Sequence, residues 1–180
     1  ILRHAALPGA AIVGIDEAGD RSEIAWAELP AQVAGLAATL RARGVGSGDV
    51  VAAYLPDIPE AVIAFLATAS LGAIWSGCGQ DYAPQGAADR LGQLAPKVLF
   101  TAAGYRYNGK VVDKRADSAE LAGLLPDLVA HITIGATEES SSALDYVDAV
   151  TSDPGDFHPV KVPFDHPLWV LFSSGTTGAP

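Results

Sequence analysis

Five short apolar runs, separated by stretches of helical periodicity, constrain this chain more than any other feature of its sequence. They are Val50-Val51-Ala52-Ala53-Tyr54-Leu55, Ala73-Ile74-Trp75, Val98-Leu99-Phe100-Thr101, His131-Ile132-Thr133-Ile134 and Leu168-Trp169-Val170-Leu171-Phe172. A strand with one wet face alternates apolar and polar residues, whereas an unbroken apolar run fits a strand covered on both faces. Between the runs, Leu29, Val33, Leu36, Ala37 and Leu40 mark one face of a helix. Arg41 and Arg43 fall in its last turn and Gly44 stops it. Ile58, Val62, Phe65, Leu66 and Ala69 predict a second helix ended by Gly72, and Leu91 with Leu94 a short third. Ala116, Leu121, Leu124 and Leu125 place another within residues 113 to 126. Ala11 to Ile15 and Glu23 to Trp26, joined by Asp16-Glu17-Ala18-Gly19-Asp20, predict a hairpin. Thr137 to Asp145 reads as a solvated loop, and Pro154-Gly155 with Pro159 as a second connection. The expected fold is a layered α/β arrangement, a largely parallel sheet flanked by helices.

Composition narrows the function classes. Of 180 residues, 49% are hydrophobic and 18% charged, so a packed core is affordable and a disordered chain is excluded. With 11 Lys and Arg against 21 Asp and Glu, the net charge is -10 and the pI about 4.6. Such a chain lacks the basic face that a nucleic-acid backbone requires. The lone Cys78 can form neither an internal disulfide nor a cysteine-based zinc site, which points to a reducing, cytoplasmic setting. Residues 61 to 80 carry no charge, but Thr68, Ser70, Gly72, Ser76, Gly77, Gly79 and Gln80 interrupt them. A buried helix followed by a buried strand is expected there rather than a membrane span. The first residue is Ile1, no secretory signal pattern follows it, and the glycine-rich run to Pro180 stops abruptly. The chain is therefore expected to be a single incomplete domain, residues 1–180 of a longer protein.

The most specific chemical signal closes the sequence: Phe172-Ser173-Ser174-Gly175-Thr176-Thr177-Gly178-Ala179-Pro180. Glycines let successive N–H groups converge on one anion, and the Ser and Thr hydroxyls add donors. It is not a Walker A loop, since Pro180 stands five residues after Gly175, where the second glycine would be. By its residues alone it is a phosphate loop or a polar turn closing a strand.

Ser173 to Pro180 resembles the Ser-Gly-Thr-Thr-Gly-x-Pro-Lys loop of the adenylate-forming ligases, the superfamily of acyl-CoA synthetases, luciferases and adenylation domains. Further blocks are similar to its acetoacetyl-CoA synthetase branch: Pro56-Asp57-Ile58-Pro59-Glu60-Ala61, Gly72-Ala73-Ile74-Trp75-Ser76, Pro96-Lys97-Val98-Leu99-Phe100, Gly109-Lys110-Val111-Val112-Asp113 and His166-Pro167-Leu168-Trp169-Val170-Leu171. Gly77-Cys78-Gly79-Gln80-Asp81-Tyr82 departs from that branch's Ser-Cys-Ser-Pro-Asp-Phe. The resemblance implies part of the large N-terminal AMP-binding domain of a ligase that activates acetoacetate with ATP to an acyl-adenylate and passes the acyl group to CoA. It implies that Ser173, Ser174, Gly175, Thr176, Thr177 and Gly178 hold the ATP phosphates, with Mg²⁺ sharing their charge. No catalytic residue is assigned within the chain. An acetate or propionate ligase, a phosphate- or nucleotide-binding module without chemistry, and a purely structural fragment are the alternatives.

Lys97, Arg106, Lys110, Lys114 and Arg115 form a basic stretch, opposed between positions 97 and 115 by Asp113 alone. Taken by itself this is either an anion site or a solvated face. Gly104-Tyr105-Arg106-Tyr107-Asn108-Gly109-Lys110 resembles the Gly-x-Arg-x-Gly-Arg/Lys stretch that meets the nucleotide end of CoA, with one residue inserted. That implies a CoA-binding role for Arg106 and Lys110. His4, His131, His158 and His166 are scattered, so no metal site is expected. Trp26, Trp75 and Trp169 are expected in the core, Cys78 as a small buried hydrophobe, and Asp57 with Glu60 as helix-opening acids.

Overall fold

The computed structural model describes residues 2–135 and 142–173. A six-stranded, wholly parallel sheet lies at its centre. Its strands are β3 (Val50–Tyr54), β4 (Ile74–Cys78), β5 (Val98–Ala102), β8 (Ala130–Ile134), β9 (Leu144–Asp145) and β10 (Trp169–Val170), in the spatial order β10-β4-β3-β5-β8-β9. The helices are α1 (Leu29–Ala42), α2 (Pro59–Ser70), α3 (Pro84–Leu91), α4 (Arg115–Gly123) and α5 (Tyr146–Val150). Two antiparallel hairpins stand apart from the sheet: β1 (Ala10–Ile15) with β2 (Arg21–Ala25), and β6 (Gly104–Tyr107) with β7 (Lys110–Asp113).

The apolar runs are buried on both faces, as their composition requires. Val51 and Ala53 of β3 join a core with α1, α2 and α5, whereas Ala52 and Tyr54 join a second core with α3 and α4. In β5, Val98, Phe100 and Ala102 face the first layer and Leu99 the second. This period of two feeds one strand into two cores. Complete burial of side chains such as Phe100 and Leu99 contributes about 1.5–3 kcal/mol each. At the end of α1, Gly44 takes φ +80°, the Val45 N–H donates to the Leu40 carbonyl and the Gly44 N–H to that of Arg41. That is a Schellman stop, which only a residue tolerant of positive φ closes without strain.

The structure revises parts of this reading, and the expected loop from Thr137 ends in β9, with residues 136–141 outside the described residues. The deeply buried residues of α2 are Ile63, Ala64, Ala67 and Thr68, while Val62 is exposed and Phe65, Leu66 and Ala69 are half-buried. An almost uniformly apolar helix gives periodicity little contrast, and its small residues allow the closest approach. The segment around Arg106 is a hairpin, turned by Asn108 (φ +50°) and Gly109 (φ +73°) in type I′ geometry. The last strand is short: β10 pairs with β4 over two residues. Trp169 is 48% exposed rather than core: among the described residues β10 is an edge strand, and Phe65 of α2 meets the ring on one side with centroids 5.1 Å apart. Trp75 is buried and Trp26 half-buried, and residues 61–80 form α2 and β4 as expected. Among the described residues no helix is long and apolar enough to cross a membrane.

Candidate functional site

Strands β4 and β5 flank β3 although they follow it consecutively, so the chain reverses direction across the sheet at β3. Loops leaving the carboxyl ends of neighbouring strands part at such a point, where open α/β sheets place their ligand crevices. A cleft of about 430 Å³ lies there. Its walls come from the segments after β3 (Leu55 to Ile58), after β4 (Gly79 to Asp81), from the start of the β6–β7 hairpin (Gly104 to Arg106) and from the β1–β2 turn (Ile15 to Glu17).

Gln80, one of the lining residues, belongs to a polar hub at the ends of β3, β4 and β5. The Tyr54 hydroxyl lies 2.5 Å from the Tyr82 carbonyl oxygen and 3.1 Å from that of Gln80. The buried Gln80 amide Nε2 donates to the Ala102 carbonyl at 2.7 Å, tying the end of β4 to the end of β5. Lys114 pairs with Asp117 at 2.6 Å. Burial pulls the Lys114 pKa down, but the Asp117 carboxylate and Tyr54 outweigh it and leave it above its ordinary value. Burial raises the Tyr54 phenol. Burial also pushes the Cys78 thiol up to about 11, so it remains a protonated, half-buried group as its sequence setting implied.

The basic stretch does not act as one patch. Lys97 sits at the opposite end of β5, where its Nζ meets Asp49 at 2.8 Å and the Gly44 carbonyl at 3.1 Å. Arg115 pairs with Asp113, whose carboxyl is held down at about 2 by that guanidinium. Neither Arg106 nor Lys110 has an ion pair among the described residues. The hairpin register opposes Arg106 to Val111 and Tyr107 to Lys110. Directly opposed residues share a face, so Arg106 and Lys110 point to opposite sides of the hairpin. Arg106 lines the cleft and Lys110 does not. A second cleft of about 420 Å³ on the hairpin is also bordered by Arg106, together with Val111, Asp113 and Arg115.

The charges of the two clefts differ. The first carries Asp16, Glu17, Asp57 and Asp81 against Arg106, whereas the second carries Arg106 and Arg115 against Asp113. An anionic group is therefore favoured at the Arg106 rim toward the second cleft and disfavoured on the floor of the first. No group of three or more His, Cys, Asp or Glu among the described residues is arranged to hold a metal ion. Of the phosphate-loop residues, Ser173 is exposed just beyond β10, while Ser174, Gly175, Thr176, Thr177 and Gly178 lie outside the described residues. Sequence reading missed Tyr54, which looks like plain core in its apolar run, and Gln80. The Asn108-Gly109 pair between β-prone residues was the signal that could have revealed the hairpin.

Comparison with known proteins bears on this arrangement. The solved acetoacetyl-CoA synthetase from Streptomyces lividans superposes with a TM-score of 0.93 at 48% identity, over 99% of this chain and 28% of that one. An acetoacetyl-coenzyme A synthetase of Rhizobium meliloti is 43% identical over 87% of this chain and 25% of its own length. A malonamoyl-CoA synthetase of Penicillium aethiopicum is 36% identical over 94% of this chain and 25% of its own length. The chain thus spans about a quarter of the length of the curated relatives it matches. Residues 3–180 match the family described as AMP-binding enzyme, and the chain belongs to that family.

Proposed function

We propose that this chain is the N-terminal portion of an ATP-dependent, AMP-forming ligase that joins acetoacetate to CoA, with residues 1–180 one incomplete domain of it. The observation that carries this reading is the superposition of 99% of this chain on 28% of an acetoacetyl-CoA synthetase. In such a reaction a carboxylate oxygen attacks the α-phosphate of ATP and pyrophosphate leaves. The CoA thiol then attacks the acyl carbon and AMP departs. The Ser173 to Gly178 loop would hold the β- and γ-phosphates by N–H and hydroxyl donors, with Mg²⁺ arriving as the counter-ion of ATP. Arg106 would take the phosphate-bearing end of CoA at its rim between the two clefts, a role supported by a guanidinium without an ion pair among the described residues. Lys110, on the other face of the hairpin, would meet the same ligand only if it wraps the hairpin edge. Small-molecule substrates, no nucleic acid and a cytoplasmic setting complete the reading, supported by the acidic composition and the lone Cys78.

A second reading keeps the chemistry and changes the acid, and the malonamoyl-CoA synthetase relative favours it. ATP–pyrophosphate exchange by the full-length protein with acetoacetate, malonamate and acetate in turn decides between them. Fastest exchange with acetoacetate is expected. Preference for another acid would transfer the assignment to it, and no exchange with any acid would leave a binding module.

A further inference from the structure

The β1–β2 turn and the β6–β7 turn are joined by one side chain. Glu17, in the first turn, accepts the backbone N–H of Asn108 at 2.6 Å and of Gly109 at 3.1 Å, across 91 and 92 residues of sequence. Both N–H groups belong to the positive-φ residues of the type I′ turn, and consecutive N–H groups so turned present a concave donor pair to an anion. One carboxylate occupies that pair with both oxygens.

The consequence is mechanical. A two-stranded hairpin by itself is marginal in water. The β6–β7 hairpin is anchored at its base by the Ala103 N–H to the Ile134 carbonyl (2.9 Å) and the Lys114 N–H to the Ala103 carbonyl (2.8 Å). Its base is also tight, because a Cβ at Gly104 would stand 2.1 Å from the Val112 carbonyl oxygen. Its tip, beyond Arg106, is held by Glu17. The β1–β2 hairpin that carries Glu17 is seated in turn on α2, since a Cβ at Gly14 would meet Pro59 Cγ at 2.8 Å. Glu17, Arg106 and Asp57, in the segment after β3, all line the first cleft.

We infer that Glu17 is a positioning residue for the CoA half-reaction: its carboxylate clamps the tip of the β6–β7 hairpin and so fixes the Arg106 guanidinium at the rim. This rests on the reading of Arg106 as a contact for the phosphate-bearing end of CoA. The charge of Glu17 is spent on the turn amides, so it opposes an approaching phosphate less than a free carboxylate would. Removing it should loosen the hairpin and uncover a negative-to-neutral change at the cleft, yet the loss of order is expected to dominate.

The test uses the full-length enzyme. Glu17→Ala should raise the KM for CoA about threefold to tenfold with kcat changed less than about twofold, the size expected for exposed charge-assisted hydrogen bonds. Glu17→Gln keeps one acceptor oxygen and should recover part of the loss. Adding Arg106→Ala to Glu17→Ala should give no larger KM than Arg106→Ala alone, because a positioning residue acts through the group it positions. Glu23→Ala, on the same hairpin but paired with Arg21, should leave the KM for CoA unchanged. Hydrogen–deuterium exchange of the peptide covering 104–113 should quicken in Glu17→Ala. Unchanged exchange there, or an unchanged KM in Glu17→Ala when Arg106→Ala raises it, overturns the clamp and leaves the ligase reading standing. An Arg106→Ala variant with normal KM for CoA overturns both the CoA role of Arg106 and the clamp. A fall in kcat equal to the rise in KM would mark Glu17 as a fold residue and overturn the inference as well.

Discussion

Arg106 combines an exposed guanidinium, no ion-pair partner among the described residues and a place on the border of two clefts at the carboxyl edge of a parallel sheet. Its neighbours in sequence do not share these properties, since Lys97, Lys114 and Arg115 are each paired with an aspartate. In the full-length enzyme Arg106→Ala is expected to raise the KM for CoA at least about tenfold, which corresponds to about 1.4 kcal/mol of lost binding. ATP–pyrophosphate exchange, which needs no CoA, should stay within about twofold. Dephospho-CoA should discriminate little between the variant and its parent if the partner of Arg106 is the 3′-phosphate, and equal weakening of both ligands would assign the arginine elsewhere. A local reading of charge found Arg106 but grouped it with four other cations. Only the pairing of strands and the positions of Asp49, Asp113 and Asp117 could separate them.

At the scale of elements, two contacts carry predictions. Helices α1 and α5 meet at Gly35, where a Cβ would stand 2.1 Å from the Val150 carbonyl oxygen and 3.0 Å from that of Ser152. The same contact is tied by Thr39 Oγ1, which donates to the Ala149 carbonyl at 2.8 Å. Gly35→Ala should therefore lower stability by about 1–3 kcal/mol, seen as a reduced Tm of the full-length protein. Gly123→Ala, in a helix with open space around the new methyl, should instead be neutral or stabilising by about 0.5–1 kcal/mol. The second contact joins β5 and β8, where His131 Nε2 lies 2.8 Å from Thr101 Oγ1. Burial lowers the His131 pKa in the folded state below its ordinary value of 6.5. Between that lowered value and 6.5 the unfolded chain binds more protons, so the contribution is complete above 6.5 and is lost as pH falls through the folded pKa. His131→Gln should flatten the fall of Tm below about pH 6.5, and an identical slope in both proteins would remove His131 from that response.

At the scale of the whole molecule, the carboxyl side of the described sheet differs from its β10 edge. The cleft side is framed by two hairpins, whereas β10 holds only two residues and leaves Leu168, Trp169 and Leu171 at least 48% exposed. The chain also spans about a quarter of its curated relatives. The 180-residue chain by itself should therefore give no ATP–pyrophosphate exchange with acetoacetate above background, although it carries Ser173 and the residues of the loop that follows. Measurable turnover by the isolated chain would show that the remaining three quarters of the relatives' length is dispensable for adenylation.

The fold class was legible because a doubly covered strand demands an unbroken apolar run, and Val50–Leu55 and Val98–Thr101 can be little else. Helix ends were legible for the same local reason: Gly44 and Gly72 take positive φ, which the neighbouring L-residues resist. The sequence also determined which residues could bind an anion, since charge and donor type belong to the side chain. It could not determine which of them face one cleft. Arg106 and Lys110 are close in sequence and separated by a hairpin register, Glu17 and Asn108 are distant and joined by a hydrogen bond, and Trp169 reads as core yet lies in the edge strand of the described sheet. Register, edge position and the meeting of remote turns are set by how strands pair and layers stack, and those contacts exist only once the chain has closed on itself.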